Sequence, residues 1–324
     1  MQITPIHEIQ GPGLFSPMEG REVLVRGVVI GATRKGYFVQ DPEGDIDEDR
    51  SCGVFVYGRR RRPPTGSLVE VSGKVVDFQS DPEGRPTTQI VEHGTELLEE
   101  QGPRIEPVWL RADRVLVGQE RLARFLNHLE GMLVGVEAGA TFVAPSNAFG
   151  DYVVLPPDAD VVRTAHGGVL IDPGMPERWL PGFRMAQYAD APAVNVGTRL
   201  LAPVVGPLNF RVGSYQIATQ GPVEVEPVDV ESRRTSLVCE ESRVTVMTLN
   251  GFNLDSKKEN PALVNDPRRD IDDDLGDGRF DALGRAIVEE AASPTIVALQ
   301  EMQDDDGAEI TKVVTADDTY YHLI

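Results

Sequence analysis

Two short apolar runs, VTVMTLN at residues 244–250 and TIVALQE at residues 295–301, decide how the C-terminal part of the chain folds. Each run has the length and the apolar, β-branched content of a buried strand. Between them, residues 279–292 (RFDALGRAIVEEAA) space their apolar side chains as a helix does. Strand, helix and strand form a βαβ unit, and its right-handed crossover makes the two strands parallel. We therefore expect Asn250 and Glu301, which close the two runs, to lie near one another at one sheet edge.

The polar residues at this expected edge suit the chemistry of a bound divalent cation. Glu301 is followed by Asp304, Asp305 and Asp306, and Mg²⁺ takes oxygen ligands from one or two carboxylates together with substrate phosphate. The amide of Asn250 can donate to a phosphate oxygen. A polar residue that ends a buried strand can equally mark the point where the chain meets water, and the pattern alone leaves both interpretations open.

Three segments of this part of the chain resemble the start of the catalytic domain in the endonuclease/exonuclease/phosphatase (DNase I-like) superfamily. The segments are TLNGFNLD (248–255), GRFDALGRAIVEEAASPTIVALQEMQDDDG (278–307) and ADDTYYHLI (316–324). The likeness is greatest to secreted or surface-attached bacterial nucleases that carry OB-like modules before this domain. The resemblance implies that Asn250 positions the scissile phosphate and that Glu301 binds the catalytic Mg²⁺, with Mn²⁺ as a substitute. It also implies that the full-length protein is extracellular or at the cell surface.

The resemblance implies more catalytic groups than this chain holds. Members of the superfamily fold as a four-layer α/β sandwich, and beyond the Glu they carry an Asp-x-Asn, a His that activates or orients water and a terminal Asp-His pair. Here 23 residues follow Glu301, and His322 falls in an expected helix rather than at a strand end. Residues 242–324 are therefore expected to form the incomplete N-terminal part of such a domain, and the chain alone is expected to be inactive as a nuclease.

Composition and charge describe a globular chain without a membrane-spanning segment. The 324 residues carry a net charge of −21. Such a chain has little nonspecific affinity for nucleic acid, because that affinity comes from Lys and Arg side chains that displace counterions. No apolar run reaches the roughly 20 residues that cross a bilayer, and the first residues lack the pattern of a signal peptide. Cys52 and Cys239 fall in different expected domains and are predicted to be free thiols.

The first 105 residues have the pattern of a small β-barrel. Runs rich in β-branched residues alternate with glycines and other turn residues, and the expected strands are 22–30, 36–40, 53–57, 68–78 and 87–91. Five strands in about 90 residues fit a barrel of the OB type. The segments IHEIQG, GYFVQDPEGD, GVFVY and GSLVEVSGKVVDF also resemble the OB-like domain of the nucleases named above.

A weaker internal repeat predicts a second OB-like barrel at residues 118–225. Residues 197–210 (GTRLLAPVVGPLNF) parallel residues 66–78. In the same order, REVLVRGVV, GYFVQD and GVFVYG have counterparts in EGMLVGVEA, GDYVVL and GGVLID. A Pro/Gly-rich insertion is expected to interrupt this barrel between Asp172 and Val194.

The sequence therefore predicts three domains. The first barrel occupies residues 1–105, and a helix at 118–128 introduces the second barrel, 118–225. Residues 226–241 form a linker to the incomplete catalytic domain at 242–324. The expected fold is thus mainly β, with two OB-like barrels followed by the first βαβ portion of an α/β sandwich.

A run of four arginines on the expected loop after the third strand is the strongest candidate for a phosphate contact, because guanidinium groups pair with phosphate through two parallel hydrogen bonds. The four residues are Arg59, Arg60, Arg61 and Arg62. Nearby aromatic residues are candidates for stacking on the bases of a single strand: Tyr37, Phe38, Phe55 and Tyr57. The opposing interpretation places these aromatics in the barrel core and makes the arginines a solubilising loop or partners of the acidic residues 41–49.

Two acidic runs have part of the spacing of a calcium-binding loop. They are Asp45, Asp47 and Asp49, and Asp270, Asp272 and Asp274. The sixth position of such a loop requires glycine, but Arg50 and Leu275 stand there. Solvated acidic loops explain both runs better, which argues against a Ca²⁺ site.

Two classes of function follow from these features. The first is a Mg²⁺-dependent phosphodiesterase that hydrolyses DNA or RNA, with the OB-like barrels holding the strand or the cell surface. The second is a non-catalytic module in which the OB-like barrels bind nucleic acid or a partner. The superfamily also includes phosphatases of sugars and lipids, so the assignment to nucleic acid rests on the accompanying OB-like barrels. The sequence identifies no protein partner.

Overall fold

The computed structural model describes most of the chain. The described residues are 2–44, 50–58, 62–79, 85–117, 119–146, 151–164, 167–169, 182–184, 192–211, 214–226, 228, 234–237, 242–255, 258, 260–262, 271 and 273–302. They form two compact units, Met1–Val230 and Glu231–Ile324. None of the helices among these residues is long and apolar enough to cross a bilayer.

The first unit begins with a closed five-stranded barrel. Its strands are β1 (Glu22–Thr33), β2 (Gly36–Gln40), β3 (Gly53–Tyr57), β4 (Leu68–Phe78) and β5 (Thr87–Glu99). They are hydrogen-bonded in the order β1-β2-β3-β5-β4, and β4 closes the barrel on β1. Strands β3 and β5 are parallel, and the other neighbours are antiparallel. A closed five-stranded barrel with this pairing is an OB barrel, as predicted.

Side chains that alternate along the strands fill the barrel. Fully buried core residues include Val25, Val39, Val54, Val71 and Ile90. A short helix that the sequence did not predict, α1 (Ile6–Gln10), adds its buried isoleucines to this core. Burial of aliphatic side chains in one continuous cluster is the main source of the barrel's stability.

The second half of the first unit holds a nine-stranded sheet and two helices, which lie in the chain between its first two strands. The helices are α2 (Ala112–Val115) and α3 (Gln119–His128). The strands are β6 (Val108–Trp109), β7 (Leu133–Val136), β8 (Thr141–Phe142), β9 (Asp151–Leu155), β10 (Gly182–Arg184), β11 (Arg199–Leu200), β12 (Val204–Arg211), β13 (Ser214–Ala218) and β14 (Val225–Glu226). Their order in the sheet is β14-β11-β8-β9-β10-β13-β12-β7-β6.

This sheet repeats the strand pairing of the first barrel. The comparison treats β7 and β8 as one interrupted strand, and β11 and β12 as another. The first strand then pairs antiparallel with the second, through β8 and β9, and with the fourth, through β7–β12 and β8–β11. The third strand, β10, is antiparallel to β9 and parallel to the fifth strand, β13. Strands β12 and β13 are antiparallel. The second half of the unit is therefore OB-like too.

The sequence comparison predicted the third strand of this second barrel at residues 167–172 (GGVLID), and that prediction was wrong. Within this segment, Val169 forms only an isolated bridge with Arg163, and residues 170–172 lie outside the described residues. The reason is a tight turn, in which Gly167 has a φ of 86° and the Gly168 N–H donates to the Thr164 hydroxyl at 3.0 Å. The third strand is instead β10, inside the segment that was predicted to be an insertion.

The two barrels pack against one another through the outer face of β2 and β3. Phe38 is 1% exposed and lies in an apolar cluster with Ala218 of the second barrel. Gly53 lies against Gly131 so closely that a Cβ at position 53 would stand 2.3 Å from the Gly131 carbonyl carbon. Glycine is therefore required at this contact, because any side chain would push the two backbones apart.

The second unit contains the predicted βαβ arrangement. Its elements are β15 (Val246–Leu254), α4 (Arg279–Arg285), a π-helical turn (Ala286–Glu290) and β16 (Ile296–Met302). Strands β15 and β16 are parallel, and Val246 pairs with Ile296. These two side chains are 69% and 47% exposed, so one face of the strand pair is open. A four-layer sandwich is not present among the described residues of this unit, where the sheet has two strands.

Candidate functional site

The end of the first barrel carries a cluster of positive side chains, which we name the basic loop cluster: Arg34, Lys35 and Arg62. Arg34 and Lys35 form the turn between β1 and β2, and all three side chains belong to exposed residues. The Arg62 guanidinium donates to the Arg34 carbonyl oxygen. The Gly58 N–H donates to the Lys35 carbonyl oxygen at 3.2 Å. These bonds hold the segment after β3 against the β1–β2 turn, and the other arginines of the predicted run, Arg59 to Arg61, lie outside the described residues.

One half-exposed aromatic ring lies next to the basic loop cluster. Tyr57 ends β3 and pairs with Gly36, the first residue of β2. Gly36 is buried, and glycine is required there because a Cβ would stand 1.9 Å from the Val56 carbonyl oxygen. The structure thus leaves an aromatic ring beside three cations in an otherwise acidic chain.

The other aromatic residues predicted to stack on bases are not available for that role. Tyr37 is 2% exposed in the core of the first barrel, where its hydroxyl lies 2.6 Å from that of Thr95 and burial raises its pKa to about 12. Phe38 and Phe55 contact each other with their rings tilted by 53° and their centroids 4.9 Å apart, in the cluster that joins the two barrels. Their outward faces are covered because the second barrel packs on the surface that β2 and β3 would otherwise present.

A buried polar cluster, which we name the junction cluster, joins the two barrels. Arg85 of the first barrel donates to Asn127 Oδ1 at 2.8 Å, and its guanidinium lies 5.1 Å from the centre of the Tyr215 ring. The Tyr215 hydroxyl donates to Glu130 Oε2 at 3.3 Å. The Ser51 hydroxyl of the first barrel donates to the Glu130 carbonyl oxygen at 2.5 Å. Hydrogen bonds to buried and half-buried groups therefore cross the junction between the barrels.

Burial changes the ionisation of the junction cluster. It raises the pKa of Glu130 from 4.5 to about 7, against the opposing effects of the Arg85 charge and of hydrogen bonds from Tyr215 and the Thr88 backbone. Burial, together with the Glu130 carboxylate, also raises the pKa of Tyr215. This cluster could not be predicted from the sequence, because Glu130 and Arg85 belong to no motif. The available signal was a charged residue three positions before the apolar strand β7.

The second unit places the two predicted catalytic residues, Asn250 and Glu301, beside a register shift of its strand pair, and we name this position the strand-edge site. Asn250 does not close its strand as predicted, because β15 continues to Leu254, which pairs with Met302. Asn250 pairs with Gln300, the residue before Glu301, so the predicted proximity is observed. The Asn250 Oδ1 accepts the Phe252 N–H at 2.7 Å. Glu301 is exposed and has a φ of 54°, a value that is uncommon for residues other than glycine. The roles of Asn250 and Glu301 in catalysis stay predictions.

The strand-edge site contributes one carboxylate toward a metal ion. Mg²⁺ is commonly held by one or two carboxylates, with water and substrate phosphate completing the octahedron, so Glu301 fits one position of such a shell. Among the described residues, no three His, Cys, Asp or Glu side chains converge on a common point. Asp304, Asp305 and Asp306 lie outside the described residues.

Asp274 has a different environment from the solvated loop that was predicted for it. It is 1% exposed, forms an ion pair with Arg279 and accepts the Asp255 N–H at 2.8 Å. That prediction was therefore wrong for Asp274, because an ion pair and a backbone donor compensate its burial. The remaining acidic residues of the two calcium-like runs, Asp45, Asp47, Asp49, Asp270 and Asp272, lie outside the described residues. Cys52 is a buried cysteine outside any disulfide, and its thiol lies 3.6 Å from the Met132 sulfur. Cys239 also lies outside the described residues.

One family matches part of the chain. Residues 118–227 match the family described as Domain of unknown function (DUF8508). This range contains α3 and the strands β7 to β14, which form the second OB-like barrel. No curated protein matches the chain.

Solved structures show only distant similarity. The hypothetical protein ygiW from E. coli is 16% identical, with a TM-score of 0.17, and the alignment covers 25% of this chain and 77% of that chain. The wild-type single-stranded DNA binding protein from Thermus aquaticus is 14% identical, with a TM-score of 0.18 and coverage of 69% and 99%. A deletion mutant of the same protein is also 14% identical, with a TM-score of 0.18 and coverage of 66% and 97%. Similarities at such TM-scores do not define a shared fold, so the OB-like assignment rests on the strand pairing.

Proposed function

We propose that the chain binds single-stranded nucleic acid through the basic loop cluster. The observation that carries this proposal is the convergence of Arg34 and Lys35, on the β1–β2 turn, with Arg62 from the segment after β3. The loop between the first two strands is one of the surfaces through which OB barrels bind oligonucleotides. Although the net charge is −21, binding depends on the local field of the contacting groups, and guanidinium and ammonium groups release counterions from phosphate.

The position of Tyr57 favours a single strand over a duplex as the ligand. Tyr57 is half-exposed and pairs with Gly36, the residue that follows Lys35 of the basic loop cluster. An unpaired base can stack on such a ring, whereas the bases of a duplex already stack on their neighbours. Because the second barrel covers the β2–β3 face, the proposed contact is confined to the end of the first barrel. We therefore expect a short site that engages few phosphates.

Salt-dependent binding tests this proposal. Fluorescence anisotropy of a labelled oligonucleotide measures the affinity of the chain and of the variant R34Q/K35Q/R62Q over a range of salt concentrations. Each lost phosphate contact lowers the slope of log K against log salt by about 0.7 for a single strand, so we expect the slope to fall by about 2. A further variant with all four residues Arg59–Arg62 replaced by serine tests the rest of the run.

A matched variant controls for net charge. K74Q/R121Q/R124Q removes one lysine and two arginines from exposed positions on β4 and α3, and we expect its salt slope to equal that of the unmodified chain. Equal slopes for the two triple variants would refute the basic loop cluster as the contact. Tighter binding of a duplex than of a single strand would refute the role assigned to Tyr57.

A second candidate function is a Mg²⁺-dependent phosphodiesterase that acts on DNA or RNA. The observation that favours it is the strand-edge site, where Asn250 and Glu301 lie beside the same register shift of a parallel strand pair. In this proposal Glu301 binds the metal ion and the Asn250 amide donates to the phosphate. A bound Mg²⁺ would neutralise phosphate charge and activate water. These two residues supply the metal ligand and the phosphate donor but no group that takes a proton from water.

Metal titration tests this second candidate. Isothermal titration calorimetry should show weak binding of Mg²⁺ or Mn²⁺ that Glu301→Gln abolishes. Glu289→Gln is the matched control, because Glu289 is an exposed carboxylate in the π-helical turn of the same unit, and it should leave the affinity unchanged. Equal affinity for the unmodified chain and Glu301→Gln would remove Glu301 from the site. We also expect no Mg²⁺-dependent cleavage of plasmid DNA by these 324 residues alone.

A further inference from the structure

Strand β15 is irregular directly after Asn250, because its pairing with β16 shifts register between Asn250 and Leu254. We call residues 251–253 of this irregular stretch the turn. Phe252 and Asn253 have φ values of 55° and 57°, so two successive residues with side chains adopt the left-handed conformation. This conformation is disfavoured for residues other than glycine and persists only where surrounding contacts hold it. The turn at Gly251–Asn253 therefore requires a specific support.

The support comes from an arginine on the neighbouring helix. The Arg279 Nη2 donates to the Phe252 carbonyl oxygen at 2.7 Å and lies 3.5 Å from the Gly251 carbonyl oxygen. The Nη1 of the same guanidinium forms an ion pair with the Asp274 carboxylate, whose side chain is fully buried. The other Asp274 oxygen accepts the Asp255 N–H at 2.8 Å. Arg279 and Asp274 thus hold the turn on both sides.

The turn also fixes the side chain of Asn250. The Phe252 N–H donates to Asn250 Oδ1 at 2.7 Å, and this bond assigns the amide oxygen to the turn and leaves the Nδ2 group as the donor for another acceptor. We infer that Arg279, anchored by Asp274, is a positioning residue that orients the Asn250 amide toward a phosphate at the strand-edge site. This inference rests on the second candidate function for the ligand, but its geometry can be tested without activity.

Hydrogen exchange measured by NMR on the whole chain tests the positioning role. Asn250→Ala identifies the protection that the Asn250 side chain gives to the Phe252 amide. We expect Arg279→Gln and Arg279→Lys to lower that protection at least tenfold. Neither side chain has a guanidinium, which contacts the Phe252 carbonyl oxygen and the Asp274 carboxylate at the same time. The Ile296 amide, which donates to the Thr245 carbonyl oxygen at 3.0 Å, should stay protected and reports that the strand pair is intact. Arg285→Gln, at an exposed position of the same helix, should change neither amide.

The inference is overturned if either Arg279 variant keeps the Ile296 amide protected and leaves the protection of the Phe252 amide unchanged. A separate titration distinguishes this failure from that of the proposed function. Inorganic phosphate with Mg²⁺ should shift the Asn250 side-chain amide resonance in the unmodified chain, and the apparent affinity should fall at least tenfold in Arg279→Lys. If phosphate leaves that resonance unmoved in the unmodified chain, the phosphodiesterase proposal fails, while the exchange data still decide the positioning role.

Discussion

The carboxyl group of Glu130 should make the stability of the first unit depend on pH. Burial raises its pKa from 4.5 to about 7 in the folded chain, so the folded state binds a proton more tightly than the unfolded state. The stability that this group contributes is fully present below about pH 4.5 and is lost as the pH rises to about 7. Each pKa unit corresponds to about 1.4 kcal/mol, so the loss is on the order of 3 kcal/mol.

Glu130→Gln isolates this contribution, because glutamine has the shape of the protonated carboxyl group and does not ionise. We expect the variant to be close to the unmodified chain in stability near pH 4.5 and to be more stable by about 3 kcal/mol at pH 8. Urea unfolding followed by tryptophan fluorescence measures this difference, since Trp109 belongs to β6 of the first unit. The control is Glu137→Gln. Glu137 is half-buried and forms an ion pair with Arg111.

The refuting result is a difference between the unmodified chain and Glu130→Gln that does not change from pH 4.5 to pH 8. A difference of the opposite sign would also refute the reasoning. It would mean that attraction between Arg85 and ionised Glu130 outweighs the cost of burying the charge, so that the folded pKa is lowered rather than raised.

Three further substitutions test the junction and the proposed ligand contact. Gly53→Ala should destabilise the first unit by about 1–3 kcal/mol, measured by urea unfolding, because its Cβ would stand 2.3 Å from Gly131; an unchanged midpoint would contradict the close contact. Phe38→Ala should cost about 3–5 kcal/mol in the same assay, and a loss below 1 kcal/mol would show that the β2–β3 face is not buried as described. Tyr57→Ala should weaken oligonucleotide binding by about 1–3 kcal/mol at an unchanged melting temperature, and equal affinity would exclude stacking.

Local patterns in the sequence were enough to define the first barrel and the βαβ unit. The predicted bounds of β2, β3 and β4 agree with the structure, because alternation of apolar residues and the glycines between strands act within a few neighbouring positions. The parallel pairing of β15 with β16, and with it the approach of Asn250 to Glu301, followed from the single helical crossover between them. The third strand of the second barrel was missed, because β10 is short and lies in a Pro/Gly-rich segment without a repeating pattern.

Tertiary structure alone decided which surfaces remain open and which buried groups meet. The sequence determined that Phe38 and Phe55 alternate with core residues on β2 and β3, but only the docking of the second barrel showed that their outward faces are covered. In the same way, Arg85 meets Glu130, and Arg279 meets the turn after Asn250, across 45 and 27–28 residues of chain. Contacts between residues so distant in sequence leave no periodic signal, because their partners are set by how separate elements pack rather than by the local backbone.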